Sequence, residues 1–145
     1  MAKIGELEVD TLRFANGSLA EYHATTGGIY AGGTPNSITA TLSDSRDRPC
    51  EVFCYADWTW FDSTGSNSGT FYINLKRNRG GSYTTFASYT FGAASNSLSF
   101  SVCDADSQDG DIWYLEVYSS LVISEPGTTY AQFNERRLAV KVSRF

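Results

Sequence analysis

The chain has 145 residues, with 16 Asp and Glu against 11 Lys and Arg, a net charge of −5 and a pI near 4.7. That balance repels a nucleic-acid backbone, and the single His leaves little for zinc chemistry or a Ser-His-Asp relay. No apolar run approaches the ~18 residues that span a bilayer, so neither nucleic acid nor membrane insertion is expected. Met1, Ala2 and Lys3 lead into no apolar stretch of the signal-peptide kind, which fits synthesis in a reducing compartment. Cys50, Cys54 and Cys103 are odd in number and are expected to be reduced, small buried side chains, with a bridge from Cys103 to either of the others as the alternative. Many aromatics (14%), with abundant Ser, Thr and Gly, favour strands and tight turns. One domain of the structural or binding kind is expected, not an enzyme.

Residues 1–35 come first and differ from the rest. Ile4, Leu7, Val9, Leu12 and Phe14 are apolar but sparse, and they precede the glycine-rich stretch Gly27–Gly33 and Pro35. Such a segment makes no core of its own, so it reads as an N-terminal arm that packs on something else. Its acidic residues Glu6, Glu8 and Asp10 complement the basic end Arg136, Arg137, Lys141 and Arg144, and pairing of the two ends, within or between chains, would satisfy both, with solvated charges on both ends as the alternative. His23 reads as a surface or interface residue.

From residue 36 onward the hydrophobic period is 2. Glu51–Phe61 is apolar on both faces, which suits a central strand or one covered by a second subunit. Phe71, Ile73 and Leu75 alternate with polar neighbours, as do Leu98, Phe100 and Val102, then Trp113, Leu115 and Val117, then Leu138, Val140 and Val142. Between the runs lie turn signals at Asp62–Gly69, Asn78–Gly81, Gly92–Asn96, Asp104–Asp111 and Glu125–Gly127. Strands at roughly 8–12-residue spacing predict an all-β, antiparallel β-sandwich, jelly-roll-like, over 36–145, with about eight strands.

The stretch Ile4–Glu21 (IGELEVDTLRFANGSLAE) resembles a recurring element of bacteriophage tail-tip and tail-fibre proteins. In lambda-like host-specificity proteins a similar "I-x-x-L-x-V-D-T-L-x-I" segment precedes a β-sandwich, and here Phe14 takes the place of the last aliphatic residue. Ser124–Tyr130 and Arg137–Arg144 resemble the closing strands of such modules, where a Pro-Gly-Thr-x-Tyr turn leads to a strand ending in a basic residue. The resemblance implies a virion structural protein, a tail-fibre, tip or collar subunit acting as a homotrimer among other virion proteins and facing a host cell-surface glycan. A capsid decoration protein and a stand-alone carbohydrate-binding module are the alternatives.

Four groups of residues are candidates for chemistry. Trp58, Trp60, Tyr72, Tyr114 and Tyr118 are candidate glycan or partner contacts, because an exposed aromatic ring stacks on a sugar. Asp104, Asp106, Asp109 and Asp111 offer the oxygens a structural Ca²⁺ prefers, although the spacing departs from an EF-hand loop, and the alternative is a solvated hairpin. Glu51, Asp57 and Asp62 near Trp58 and Trp60 suggest paired carboxylates for sugar hydrolysis but lack the spacing. Lys76, Arg77 and Arg79 read as a solvated turn or as a contact to an acidic neighbour or anionic glycan.

Overall fold

The computed structural model describes residues 17–26, 29–30, 34–43, 48–63, 65, 68–120 and 129–143. These residues form nine strands and no helix: β1 (Gly17–Thr25), β2 (Ile29–Tyr30), β3 (Asn36–Thr41), β4 (Cys50–Asp62), β5 (Phe71–Arg79), β6 (Ser82–Phe91), β7 (Asn96–Asp104), β8 (Ile112–Ser119) and β9 (Thr129–Ser143).

The pairing is nested. β5 pairs with β6 across the tightest turn, β4 with β7, β3 with β8, and β1 with β9, all antiparallel. Wrapped into two layers, this long hairpin gives one sheet in the order β1-β9-β4-β7, with β2 also on β9, and a second in the order β3-β8-β5-β6. Two packed antiparallel sheets in this order form a jelly roll. At the hairpin tip Gly80 and Gly81 both take positive φ (60° and 89°), as a two-residue turn between twisted strands requires, and the Gly81 amide donates to Asn78 Oδ1 at 2.9 Å.

Strand alternation points one row of each strand inward. Val52, Cys54, Ala56 and Trp58 of β4 and Leu138, Val140 and Val142 of β9 meet Phe71, Ile73 and Leu75 of β5 and Trp113, Leu115 and Val117 of β8. At one end Trp58 stacks on Phe71 (5.6 Å) while Phe133 meets Phe71 edge-on (5.6 Å). β4 is central, between β9 and β7, so its inward apolar row is core and its outward row is surface. At the open side Arg136 is buried between the layers and donates from Nη1 to Asn36 Oδ1 of β3 at 2.6 Å. Burial lowers its pKa.

Two expectations need correction. Among the described residues seven strands begin after residue 35, where about eight were expected, and the outer strand completing the first sheet is β1, which lies inside the stretch assigned to an arm. Its core-side positions Glu21 and His23 are polar, so it lacks the alternation that marks the other strands. Glu21 faces the sandwich edge, where its carboxylate accepts from the Thr41 amide of β3 and pairs with His23 at 2.8 Å. Ile4, Leu7, Val9, Leu12 and Phe14 lie outside the described residues.

Cys50 and Cys54 are buried, and burial pushes both thiols up to about 12. Cys103 is exposed, because its neighbour Val102 takes the inward position. It therefore sits on the opposite face of the sheet from both other thiols, and the three cysteines are free.

Candidate functional site

The outer face of the β3-β8-β5-β6 sheet collects three of the five aromatic candidates. Tyr114, Glu116 and Tyr118 are the outward residues of β8, and Tyr72, Asn74 and Lys76 those of β5, because residues two apart share a face. Register places Tyr72 beside Tyr118 and Asn74 beside Glu116, with Lys76 beside Tyr114. The Tyr72 and Tyr118 rings stack with centroids 4.6 Å apart and 12° between planes. About 13 Å along the strands, Tyr83 of β6 meets Tyr114 at 5.6 Å. Hydrogen bonding to the Tyr83 hydroxyl, and then burial, raises the Tyr114 pKa above its ordinary value.

Between the two tyrosine pairs lies a connected polar group. Glu116 accepts from Asn74 Nδ2 at 3.2 Å and from Lys76 Nζ at 3.1 Å, and Ser88 of β6 donates to Asn74 Oδ1 at 2.7 Å. Asn74 is buried although it faces outward, so this network is held in place by its neighbours. Ser37 and Thr39 of β3 and Thr85 and Thr90 of β6 extend the hydroxyl-rich surface on either side. The face offers ring surfaces for stacking with donors and acceptors already ordered between them, which suits a ligand rich in hydroxyl groups.

The two tryptophans do not belong to this face. Trp58 is 2% exposed in the core, where its indole donates to the Ala94 carbonyl at 3.0 Å, and Trp60 packs against the core with its ring edge-on to Phe71. Parity decides this, since both share the inward side of β4 with Val52, Cys54 and Ala56.

The acidic loop is also corrected. Asp104 and Asp111 are buried, and their carboxylates face arginines of the β5–β6 hairpin rather than an open ligand shell. Arg77 Nη1 donates to Asp104 Oδ2 at 2.7 Å, and Arg79 grips Asp111 through Nε and Nη2, both at 2.8 Å. Arg79 also donates to the Asp106 carbonyl at 2.7 Å, and its Nη1 lies 4.0 Å from the exposed Asp106 carboxylate. Burial pushes the Asp111 carboxyl up, but Arg79, the Gln108 amide and Arg77 more than reverse this and hold it below its ordinary value. Two guanidinium charges beside the carboxylates are incompatible with a calcium site. Asp109 is an exposed member of the same loop, and among the described residues no group of three or more His, Cys, Asp or Glu is placed to hold a metal ion.

The basic turn and the acidic loop, read separately from the sequence, are therefore the two halves of one clamp. Opposite charge in two segments 27 residues apart is the signal that could have joined them. Asn74, Tyr83 and Glu116, missed as site residues, carry no local signal, because only cross-strand register brings them beside the tyrosines, while Lys76, read with the basic turn, joins them through Glu116.

No protein family and no curated protein matches the chain. Among solved structures it is similar to dimeric latent PorU from Porphyromonas gingivalis, at 11% identity and TM-score 0.47 over 85% of this chain and 13% of that one. A chain of the infectious bursal disease virus Gx strain follows, at 12% identity and TM-score 0.46 over 87% of this chain and 33% of that one. The Bacillus endospore appendages, described as disulfide-linked pili, are 18% identical at TM-score 0.40, over 90% and 95% of the two chains. Likeness at this level transfers no function from one chain to another.

Proposed function

We propose that this chain is a virion structural subunit of a bacteriophage, a tail-fibre or tail-tip component, which binds host-surface glycan through the outer face of its β3-β8-β5-β6 sheet. The virion assignment rests on the sequence resemblance of Ile4–Glu21, Ser124–Tyr130 and Arg137–Arg144. The observation that carries the binding role is the two tyrosine pairs, Tyr72–Tyr118 stacked and Tyr83–Tyr114 tilted, that bracket the Asn74–Glu116–Lys76 network on one open sheet face. The role is adhesive rather than catalytic, since the carboxylates of the acidic loop are engaged by arginines. A neutral oligosaccharide is the ligand class, because Glu116 already neutralises the one lysine on the face.

The test is binding of the purified chain to an array of bacterial surface glycans, followed by calorimetry on the best ligand. The Y72A/Y118A double variant should bind at least ~10-fold more weakly, the loss expected for stacking contacts worth over about 1 kcal/mol together, with unchanged circular dichroism. Absence of any glycan ligand, or equal binding by the variant, would defeat the reading.

A further inference from the structure

The outer face of the other sheet has a different pattern. Its strands run β1-β9-β4-β7, and register sets its outward residues in rows across them. One row reads Tyr22, Ala139, Phe53, Ser101, and the next reads Ala24, Arg137, Tyr55, Ser99. On the other side of the first row, Lys141 stands beside Glu51. Tyr22 on the edge strand β1 is 51% exposed and Phe53 on the central strand β4 is 40% exposed. Arg137 lies over the Tyr55 ring at 4.9 Å.

Each of these three rows is complementary to its own reversal, whereas the next outward row, Asp57 beside Glu135, sets two carboxylates against each other. Large and small alternate in Tyr22, Ala139, Phe53, Ser101, so the row turned end for end sets every large residue against a small one. The second row reversed lays Arg137 over Tyr55 and the small ends Ala24 and Ser99 over each other. Reversal of the third sets Lys141 on Glu51. We propose that two copies of this chain pack face to face through this sheet, about a two-fold axis running parallel to the strands between β9 and β4.

The Lys141–Glu51 contact and the size match of the first row favour a second copy as the occupant. Lys141 of one copy meets Glu51 of the other twice over, because a two-fold interface repeats every contact. A cyclic trimer joins two different surfaces and gains nothing from a row that matches its own reversal. All four strands run side by side over Glu51–Ala56, where ~4.8 Å spacing gives the face on the order of 400 Å², about half of the ~800 Å² each partner contributes to a stable interface. Phe61, exposed and stacked on Tyr130 at 5.4 Å, extends the apolar surface along the same axis. This pairing does not depend on the glycan reading, since it uses the opposite side of the sandwich.

Sedimentation equilibrium on the full chain tests it. The wild type is expected to be a dimer, with F53D weakening association by ~100-fold or more, as loss of a central aromatic anchor does. E51K and K141E should each weaken it by about tenfold. An equimolar mixture of E51K and K141E should restore a dimer of near wild-type affinity, because Lys141 of the first chain then meets Glu51 of the second and the two introduced charges meet each other. Within each chain the like-charge pair persists, so restoration in the mixture reports contact between copies and not repair of the fold. A wild-type monomer, a trimer, or a mixture no tighter than either variant would overturn the pairing. A monomer that dimerises only after removal of residues 1–16 assigns the face to that segment and overturns it equally.

Discussion

The two outer faces of this sandwich are built by the same alternation, yet they differ in what surrounds their aromatic rings. On the β3-β8-β5-β6 side, tyrosines meet in two pairs, one stacked and one tilted, and the space between them holds Glu116, Asn74 and Lys76 bonded into one network. On the β1-β9-β4-β7 side, Tyr22 and Phe53 stand across Ala139 with no polar group between them. An ordered polar network among rings recognises hydroxyl groups, whereas alternating large and small apolar residues fit another protein surface. The position of a strand pair in the sheet therefore says less about its use than the residue type at the register position between the rings.

The contrast is one between outward positions, so it breaks first when an inward one is changed. Phe71→Ala empties the centre of the Trp58–Phe133 cluster and should cost about 3–5 kcal/mol in urea unfolding. Tyr72→Ala, one residue away on the opposite face, should cost less than about 1 kcal/mol. Comparable losses at the two positions would erase the distinction between core and platform.

Next in size is the clamp that ties the β5–β6 hairpin to the loop before β8. Arg79→Ala leaves Asp111 buried without its bidentate partner and should cost about 3 kcal/mol, and Asp111→Asn somewhat less. Since the clamp belongs to neither face, both variants should lower stability while glycan binding at saturating folded protein stays unchanged. The same pair sets an acid limit. The folded-state pKa of Asp111 lies below its ordinary 3.8, so its contribution is present above that value and is lost as pH falls through the folded pKa. Stability measured across the acid range should fall more steeply with pH in the wild type than in D111N.

A smaller effect separates the two faces chemically. Glu116→Gln keeps the Asn74 contact but removes the charge that holds Lys76, and should cost about 1 kcal/mol or less. Its larger consequence should be a new preference for acidic sugars on the platform, read on the same glycan array. Thiol labelling marks the other face. In F53D, a maleimide should add once per folded chain, at Cys103, and three times after denaturation, because Cys50 and Cys54 are buried with pKa values raised to about 12.

Legibility in the sequence followed the physical signal. β5, β8 and the later part of β9 were readable because one face is apolar and the other polar, and the Asn78–Gly81 turn because two successive glycines can both take positive φ. β1 was not, since Glu21 and His23 sit where core residues would stand and find their partners in β3 and in each other. Trp58 and Trp60 shared a face in the sequence, but which face pointed inward was set by the whole strand, and it was the core side.

The alternation of residues by itself determined the fold class and the outward direction of Tyr72, Tyr114 and Tyr118, and left Glu51–Phe61 as either a central strand or one covered by a second subunit. Such signals are local, carried by neighbours within a strand. Only the tertiary structure decided that Arg77 and Arg79 answer Asp104 and Asp111, that Glu116 lies between two tyrosine pairs, and that Tyr22, Ala139 and Phe53 share a row. Those placements depend on which strands pair and at what register, and nested pairing joins residues up to more than a hundred positions apart.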